Sequence, residues 1–156
     1  MVEAPELPVL DLSNTTYCYF GLFSYCNNLT KAPKIPATLL GDHCYRNMFY
    51  GCTSLINAAE LPATELTYHC YCMMFYDCEA LTTAPALPAT LLAEGCYYKM
   101  FEGCTALTSA PALPATSLAE WCYKSMFSGC TKLYTYLHNK LSTSTLQRHK
   151  QSFSGG

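Results

Sequence analysis

The chain has 156 residues, of which 11 are acidic and 9 are lysine or arginine, giving a formal net charge of −2. Acidic and basic residues are thus nearly balanced and the chain has no stripe of basic residues, unlike a typical nucleic-acid-binding protein. We therefore expect no nucleic-acid partner. Hydrophobic residues make up 51% of the chain, enough for a buried core. No apolar run approaches the roughly 18–20 residues that a membrane span needs, so we expect no membrane insertion.

A repeat of 26 residues runs along most of the chain. The first cysteine column recurs at this step as Cys18, Cys44, Cys70, Cys96 and Cys122. The second cysteine column follows as Cys26, Cys52, Cys78, Cys104 and Cys130, and a proline recurs as Pro36, Pro62, Pro88 and Pro114. A fixed period of this length indicates stacked units. We predict a tandem array over residues 1–136, with units at about 1–26, 27–52, 53–78, 79–104 and 105–130.

The first predicted element of each unit is a short strand, placed at about residues 80–84 in the fourth unit. Leu81 and Ala84 would face inward from this strand. Pro85 and Pro88 exclude a helix here, because a proline restricts the preceding residue to extended geometry. They define a corner after the strand.

The second predicted element is a helix at about residues 91–102 of the same unit. Thr90 precedes it and can cap free N–H groups, while Gly103 follows it as a C-terminal glycine. Its apolar residues recur at i, i+4, i+8, i+9 and i+12, as Leu92, Cys96, Met100, Phe101 and Cys104. These spacings would place them on one helical face. The chain is therefore predicted to be an α/β solenoid of about five units, each with one short strand and one helix.

The segment 131–156 keeps the repeat only weakly. Residues 152–156 align with residues 126–130, but the proline and both cysteines are missing. We interpret this segment as a degenerate sixth repeat or a polar C-terminal cap, with a divergent tail or a cut from a longer array as open alternatives. Uncapped ends would expose apolar surface, so end-to-end self-association is also predicted.

The 11 cysteines raise the question of metal or redox chemistry. The repeat has C-x7-C spacing rather than the close pairs of zinc sites, and Cys70 and Cys72 form the one close pair. On a helix, cysteines eight residues apart would lie about 12 Å apart, too far for a disulfide. We predict no metal and no cofactor, and two buried columns of reduced thiols. Disulfides between units remain the alternative.

A tyrosine follows each cysteine of the first column, as Tyr19, Tyr45, Tyr71, Tyr97 and Tyr123. We predict that these tyrosines form an aromatic ladder from unit to unit. A stacking stripe for sugars or bases is the alternative.

The unit MFxGCTxLTxAPxLPATxLAExCY resembles the BspA-like leucine-rich repeats. GCTSL (residues 51–55) and GCTAL (residues 103–107) match best, over a resemblance that covers roughly residues 1–137. The unit is a few residues longer than the family's and has CYxxMF where the family more often has IGxxAF. The resemblance implies a right-handed coil at the surface of host-associated bacteria or protists, mediating adhesion. It thus implies a cell-surface or extracellular location, although MVEAPELPVL at the N-terminus has no signal-peptide pattern.

No catalytic motif is present, and we predict that the chain is not an enzyme. We predict a non-catalytic protein-interaction or adhesion module that binds a protein or other macromolecule through its strand face. The candidate binding residues on that face are Lys31, Asn57, Thr82, Thr83, Thr108, Ser109 and Tyr134. A structural spacer or stalk, and a cysteine-based metal or redox protein, are the alternative functions.

Overall fold

The computed structural model describes residues 2–8 and 11–140, with side chains at 4–8 and 11–135. Within these ranges the regular elements are β1 (Val2–Glu3), β2 (Leu29–Lys31) and α1 (Thr131–Lys140). β1 and β2 pair in parallel, with Val2 opposite Leu29 and Glu3 opposite Lys31. Parallel bridges between single residues continue this pairing through the later units.

The strand predicted at about residues 80–84 is reduced to a single bridging residue, Thr83. The prolines that follow it explain why the ladder does not lengthen. Pro85 and Pro88 carry no N–H group and cannot donate to a neighbouring strand. The strand side of the array is therefore a series of short contacts rather than a continuous sheet.

The helix predicted at about residues 91–102 is not formed. Residues 94–103 are consecutive turns, and so are residues 18–25, 42–51, 68–77 and 120–129. We call these five stretches the turn segments. In the third of them a residue of positive φ recurs at every fourth position, at His69 (52°), Met73 (52°) and Asp77 (54°). A left-handed residue at every fourth position is incompatible with an α-helix.

The backbone of the turn segments divides its hydrogen bonds between two directions. In the third segment, alternate N–H groups donate to carbonyl oxygens of the next unit, at distances of 2.8–3.1 Å. These pairs are His69 to Glu94, Tyr71 to Cys96, Met73 to Tyr98, Phe75 to Met100 and Asp77 to Glu102. The N–H groups between them donate to the carbonyl three residues earlier, at 3.2–3.3 Å, as Cys72 does to His69. This pattern gives each of these buried donors a partner without a helix.

A period of four in the sequence explains the turns. An α-helix advances about 100° per residue, so a strict four-residue step drifts by about 40° each time. In the fourth unit the pairs Cys96/Tyr97 and Met100/Phe101 are buried, while Tyr98/Lys99 between them is part-exposed. Two buried residues thus alternate with two part-exposed ones. A chain of four-residue turns produces this alternation, because each turn brings the next buried pair back to the inner side.

Aromatic columns form the centre of the stack. The rings of Phe23, Phe49, Phe75, Phe101 and Phe127 lie parallel within 8°, with successive centroids 5.4–5.7 Å apart. The tyrosines that follow the first cysteine column stack in the same way, at 5.6–6.0 Å. Tyr45, Tyr71 and Tyr97 are at most 1% exposed. The rings of these three tyrosines are therefore packed inside the ladder and are not accessible to a sugar or base.

α1 starts directly after Cys130, and its Leu133 is fully buried. Tyr134, predicted to lie on the strand face, lies instead in this helix. Its N–H donates to the carbonyl of Cys130 at 3.0 Å, which is the first helical bond of the segment. Of the predicted sixth repeat or cap at 131–156, the part from residue 141 onward lies outside the described residues.

We predict that Lys99→Gly is neutral or stabilises the protein by up to about 1 kcal/mol. Lys99 has a φ of 53°, and this left-handed geometry costs a non-glycine residue roughly 1–2 kcal/mol. Glycine's extra freedom in the unfolded chain offsets part of that gain. In a helix the same change would instead cost about 1 kcal/mol. Denaturant unfolding measures the difference.

Lys124→Gly is the matched control for this prediction. Lys124 occupies an outward position of the fifth turn segment, is exposed, and does not have positive φ. Glycine there should lower the free energy of unfolding by roughly 0.5–1 kcal/mol. Equal losses at both positions would contradict the turn geometry.

Candidate interaction surface

The bridged residues of the strand side form a single exposed row. Lys31, Asn57, Thr83 and Ser109 are joined in succession by parallel bridges, and all four are exposed. We call these four residues the strand row. Backbone bonds hold it in place, among them the donation from the Ala32 N–H to the Asn57 carbonyl at 3.1 Å. With parallel neighbours about 4.8 Å apart, the row extends over roughly 14 Å.

Thr82 and Thr108 lie beside the strand row and are also exposed. The Thr108 hydroxyl and the Thr108 N–H both donate to the Thr82 carbonyl, each at 3.1 Å. The structure thus brings together six of the seven residues predicted for the strand face. Tyr134 is not among them, because the helix that starts at Thr131 replaces the strand at that point.

The strand row and its two threonines present hydroxyl and amide groups with one positive charge, on Lys31. Such side chains can donate and accept hydrogen bonds to an extended partner. They offer no Trp, Tyr or Arg of the kind that dominates tight interfaces. This surface is therefore suited to extended, polar contact, with affinity spread over several units.

A second feature is an aromatic stack that begins at the exposed Tyr17 and continues through the part-buried His43 to the buried His69. The rings of Tyr17, His43 and His69 stack in parallel, with centroids 4.5 and 5.5 Å apart. We call these three residues the turn-face stack. The Tyr68 ring stands edge-on to both imidazoles, at 5.1 and 4.3 Å. The stack ends at Gly95 (φ 59°), where a Cβ would overlap the His69 ring.

The electrostatic surroundings of the turn-face stack favour neutral imidazoles. Burial lowers the pKa of His69, and the nearby positive charge of Arg46 and the neighbouring His43 lower it further. Burial and Arg46 also lower the pKa of His43, against the opposing effect of Asp42. An Arg46 Nη1 lies 3.4 Å from His43 Nδ1, so a neutral His43 can accept from the guanidinium.

The turn-face stack was not predicted from the sequence. The signal is nevertheless present, because His43 and His69 are 26 residues apart and so occupy equivalent repeat positions. Equivalent aromatic residues on adjacent layers of a stack must lie face to face.

The cysteine columns are buried in the later units and open at the first. Cys44, Cys70, Cys96 and Cys122 of the first column are at most 4% exposed, as are Cys52, Cys78, Cys104 and Cys130 of the second. Cys18 is part-buried and Cys26 is exposed. All eleven cysteines are free thiols.

The second cysteine column makes a regular hydrogen bond between units. The thiol of Cys78 donates to the Phe49 carbonyl at 3.2 Å. Cys52, Cys104 and Cys130 do the same to Phe23, Phe75 and Phe101, at 3.0–3.1 Å. Burial raises the pKa of Cys52 to about 11 and of Cys130 to about 12. These thiols are therefore protonated structural donors, poorly suited to nucleophilic or redox chemistry.

The described residues contain no group of three or more His, Cys, Asp or Glu side chains placed to hold a metal ion. The one helix they form, α1, is too short and too polar to cross a bilayer. Comparison with protein-family models, with curated proteins and with solved structures found no match.

We predict that the free energy of unfolding decreases as the pH falls from about 7.5 to about 5. Unfolded His43 and His69 titrate near the ordinary pKa of 6.5, whereas in the folded protein the pKa of each is lowered. The unfolded state therefore binds more protons below this pH, and the stability present above it is lost on acidification. His69→Phe keeps a ring in the stack and should flatten this dependence in chemical denaturation at several pH values. An unchanged pH profile in that variant would show that His69 does not cause it.

We predict that native protein has one rapidly reacting thiol, Cys26, and one slower one, Cys18. The other nine cysteines are buried and should react only on unfolding, because burial disfavours the thiolate. Ellman titration without reductant, before and after denaturation, measures both numbers, and Cys26→Ser should remove the fast phase. Fewer than eleven thiols after unfolding would indicate disulfides or bound metal.

Proposed function

We propose that this chain is a non-catalytic binding module that engages a protein or other macromolecule through the strand row, Thr82 and Thr108. The observation that carries this proposal is the registered row of exposed side chains, one from each successive unit. Rigid presentation lowers the entropic cost of binding an extended partner. A concerted set of modest contacts is typical of adhesion arrays built from stacked repeats.

The proposal retains a solenoid of 26-residue units, of the leucine-rich type that the sequence resembles, with turn segments in place of helices. The implied setting is a cell-surface or extracellular adhesion protein. The burial and raised pKa values of the thiols make redox or metal chemistry a poor alternative function.

A structural spacer is the second candidate function. The continuous backbone bonding between turn segments favours it, because such an array is stiff along its axis. A spacer needs no partner on the strand row. The two functions therefore differ in whether the exposed row contributes to binding.

The test is binding of fluorescently labelled chain to epithelial cell monolayers, compared with the double variant Thr82→Arg/Thr108→Arg. Two bulky cations in the row should reduce binding at least tenfold, by steric and electrostatic mismatch. The matched control is Thr64→Arg/Thr116→Arg, two exposed threonines away from the row, which should bind like wild type. Thermal unfolding verifies that both variants fold.

Three outcomes distinguish the candidates. Loss of binding in the row variant alone supports the proposed function. Equal binding by all three proteins would show that another face binds. No binding by the wild-type chain would favour the spacer.

A further inference from the structure

Unit 1 exposes side chains whose counterparts are buried in every later unit. Leu22 is 49% exposed, whereas Met48, Met74 and Met100 at the equivalent position are fully buried. Cys26 is exposed, while its counterparts are at most 1% exposed. Tyr25, beside it, is 68% exposed. The face that each later unit packs against its predecessor is thus open at unit 1.

The backbone edge of the same face is also open. In unit 2 the carbonyls of Arg46, Met48 and Tyr50 accept N–H groups of unit 1, at 2.7–3.0 Å. Their unit 1 counterparts are the carbonyls of Phe20, Leu22 and Ser24. These accept no hydrogen bond from the described residues. We call residues 16–26, with these carbonyls, the open edge.

Backbone hydrogen bonds between turn segments run in one direction, so the backbone of the open edge offers acceptors only, and the Cys26 thiol is the one donor of the repeating pattern that remains there. Each earlier unit donates N–H groups and each later unit supplies carbonyls. The aligned peptide dipoles add, as they do in a helix, and place partial negative charge at unit 1. Residues 12–30 contain no charged side chain. The open edge therefore calls for a partner that supplies backbone donors.

These constraints disfavour a second copy of the chain as the partner. Two open edges would set acceptors against acceptors and desolvate them without a donor. The far end of the stack is not an open counterpart either, because Met126 and Phe127 in unit 5 are fully buried.

The N-terminal segment supplies the strand side of unit 1 and leaves its turn side uncovered. β1 pairs with β2 on the strand side, but the turn side has no such neighbour among the described residues. A cavity of about 530 Å³ lies between the N-terminal segment and the end of unit 1. It is lined by Ala4, Phe23, Tyr25, Cys26, Asn27, Asn28 and Leu29. The lining combines apolar rings with two amides, which fits a peptide segment.

We propose that the open edge binds a segment of another polypeptide, which adds one further turn layer to the stack. The segment donates alternate backbone N–H groups to the carbonyls of Phe20, Leu22 and Ser24. Its apolar side chains cover Leu22 and Cys26. This mode is backbone augmentation, known for strands at sheet edges, here applied to a turn edge. It uses a different surface from the strand row.

The test uses a synthetic peptide with the sequence of residues 120–130, EWCYKSMFSGC, kept reduced. Unlabelled peptide is added to the ¹⁵N-labelled full chain, and amide shifts are followed by NMR. We expect shifts confined to residues 16–29 and the N-terminal segment. The matched control peptide is N-methylated at the residues corresponding to Ser125 and Phe127, whose N–H groups would donate to the carbonyls of Phe20 and Leu22. It should bind at least tenfold more weakly.

Two protein variants complete the experiment. Leu22→Glu should abolish the shifts, and Leu118→Glu, at a residue 63% exposed elsewhere, should leave them unchanged. Both side chains are exposed enough for the variants to fold, which their thermal unfolding verifies. No shifts up to about 1 mM peptide, shifts elsewhere, or equal binding by the N-methylated peptide would overturn the proposal. So would sedimentation showing a dimer that Leu22→Glu dissociates.

Discussion

The one-way ladder of backbone hydrogen bonds between turn segments is the constraint on which the rest of the structure depends. Alternate N–H groups cross to the next unit, and the intervening ones close turns within their own unit. Both sets must be satisfied for the segment to be buried. This requirement places layers close together and aligns every equivalent side chain. The phenylalanine and tyrosine ladders and the thiol-to-carbonyl bonds all follow from that alignment.

The repeat and its buried residues could be predicted from the sequence, but the local conformation of half of each unit could not. Cys96, Met100 and Phe101 were placed inward correctly, because burial depends on the period of the pattern. On a helix the side-chain direction drifts by only about 40° for each four-residue step, and in a chain of four-residue turns it does not drift. The apolar pattern of one short unit therefore fits both conformations. The decisive signal was the doublet, with Cys96/Tyr97 and Met100/Phe101 each buried as a pair.

The candidate surface was predictable where it depends on the repeat and not where the repeat ends. Asn57, Thr83 and Ser109 lie in one row because they are equivalent by sequence. Tyr134 is the equivalent of Thr82 and Thr108, but the chain has lost the proline corner there and forms α1 instead. The turn-face stack of His43 and His69 follows the same logic as the row.

The array is polar along its axis, and this gives its surfaces different chemistry. Its sides present repeated side chains, with hydroxyl and amide groups on the strand row and aromatic rings on the turn face. Its first end presents bare carbonyls and apolar rings. Side surfaces suit binding spread over several units, whereas the end suits addition of a single layer. The alignment of equivalent residues thus underlies the strand row, and the one-way ladder underlies the open edge.

The most direct test of this account is a long-range HNCO experiment on ¹³C,¹⁵N-labelled protein, which detects couplings across individual hydrogen bonds. The account predicts a correlation between the Phe75 amide nitrogen and the Met100 carbonyl carbon, whose N···O distance is 2.9 Å. It predicts the same between Tyr71 and Cys96. A correlation from Phe75 to the carbonyl of Tyr71, four residues earlier, would instead indicate a helix and contradict the ladder between turn segments.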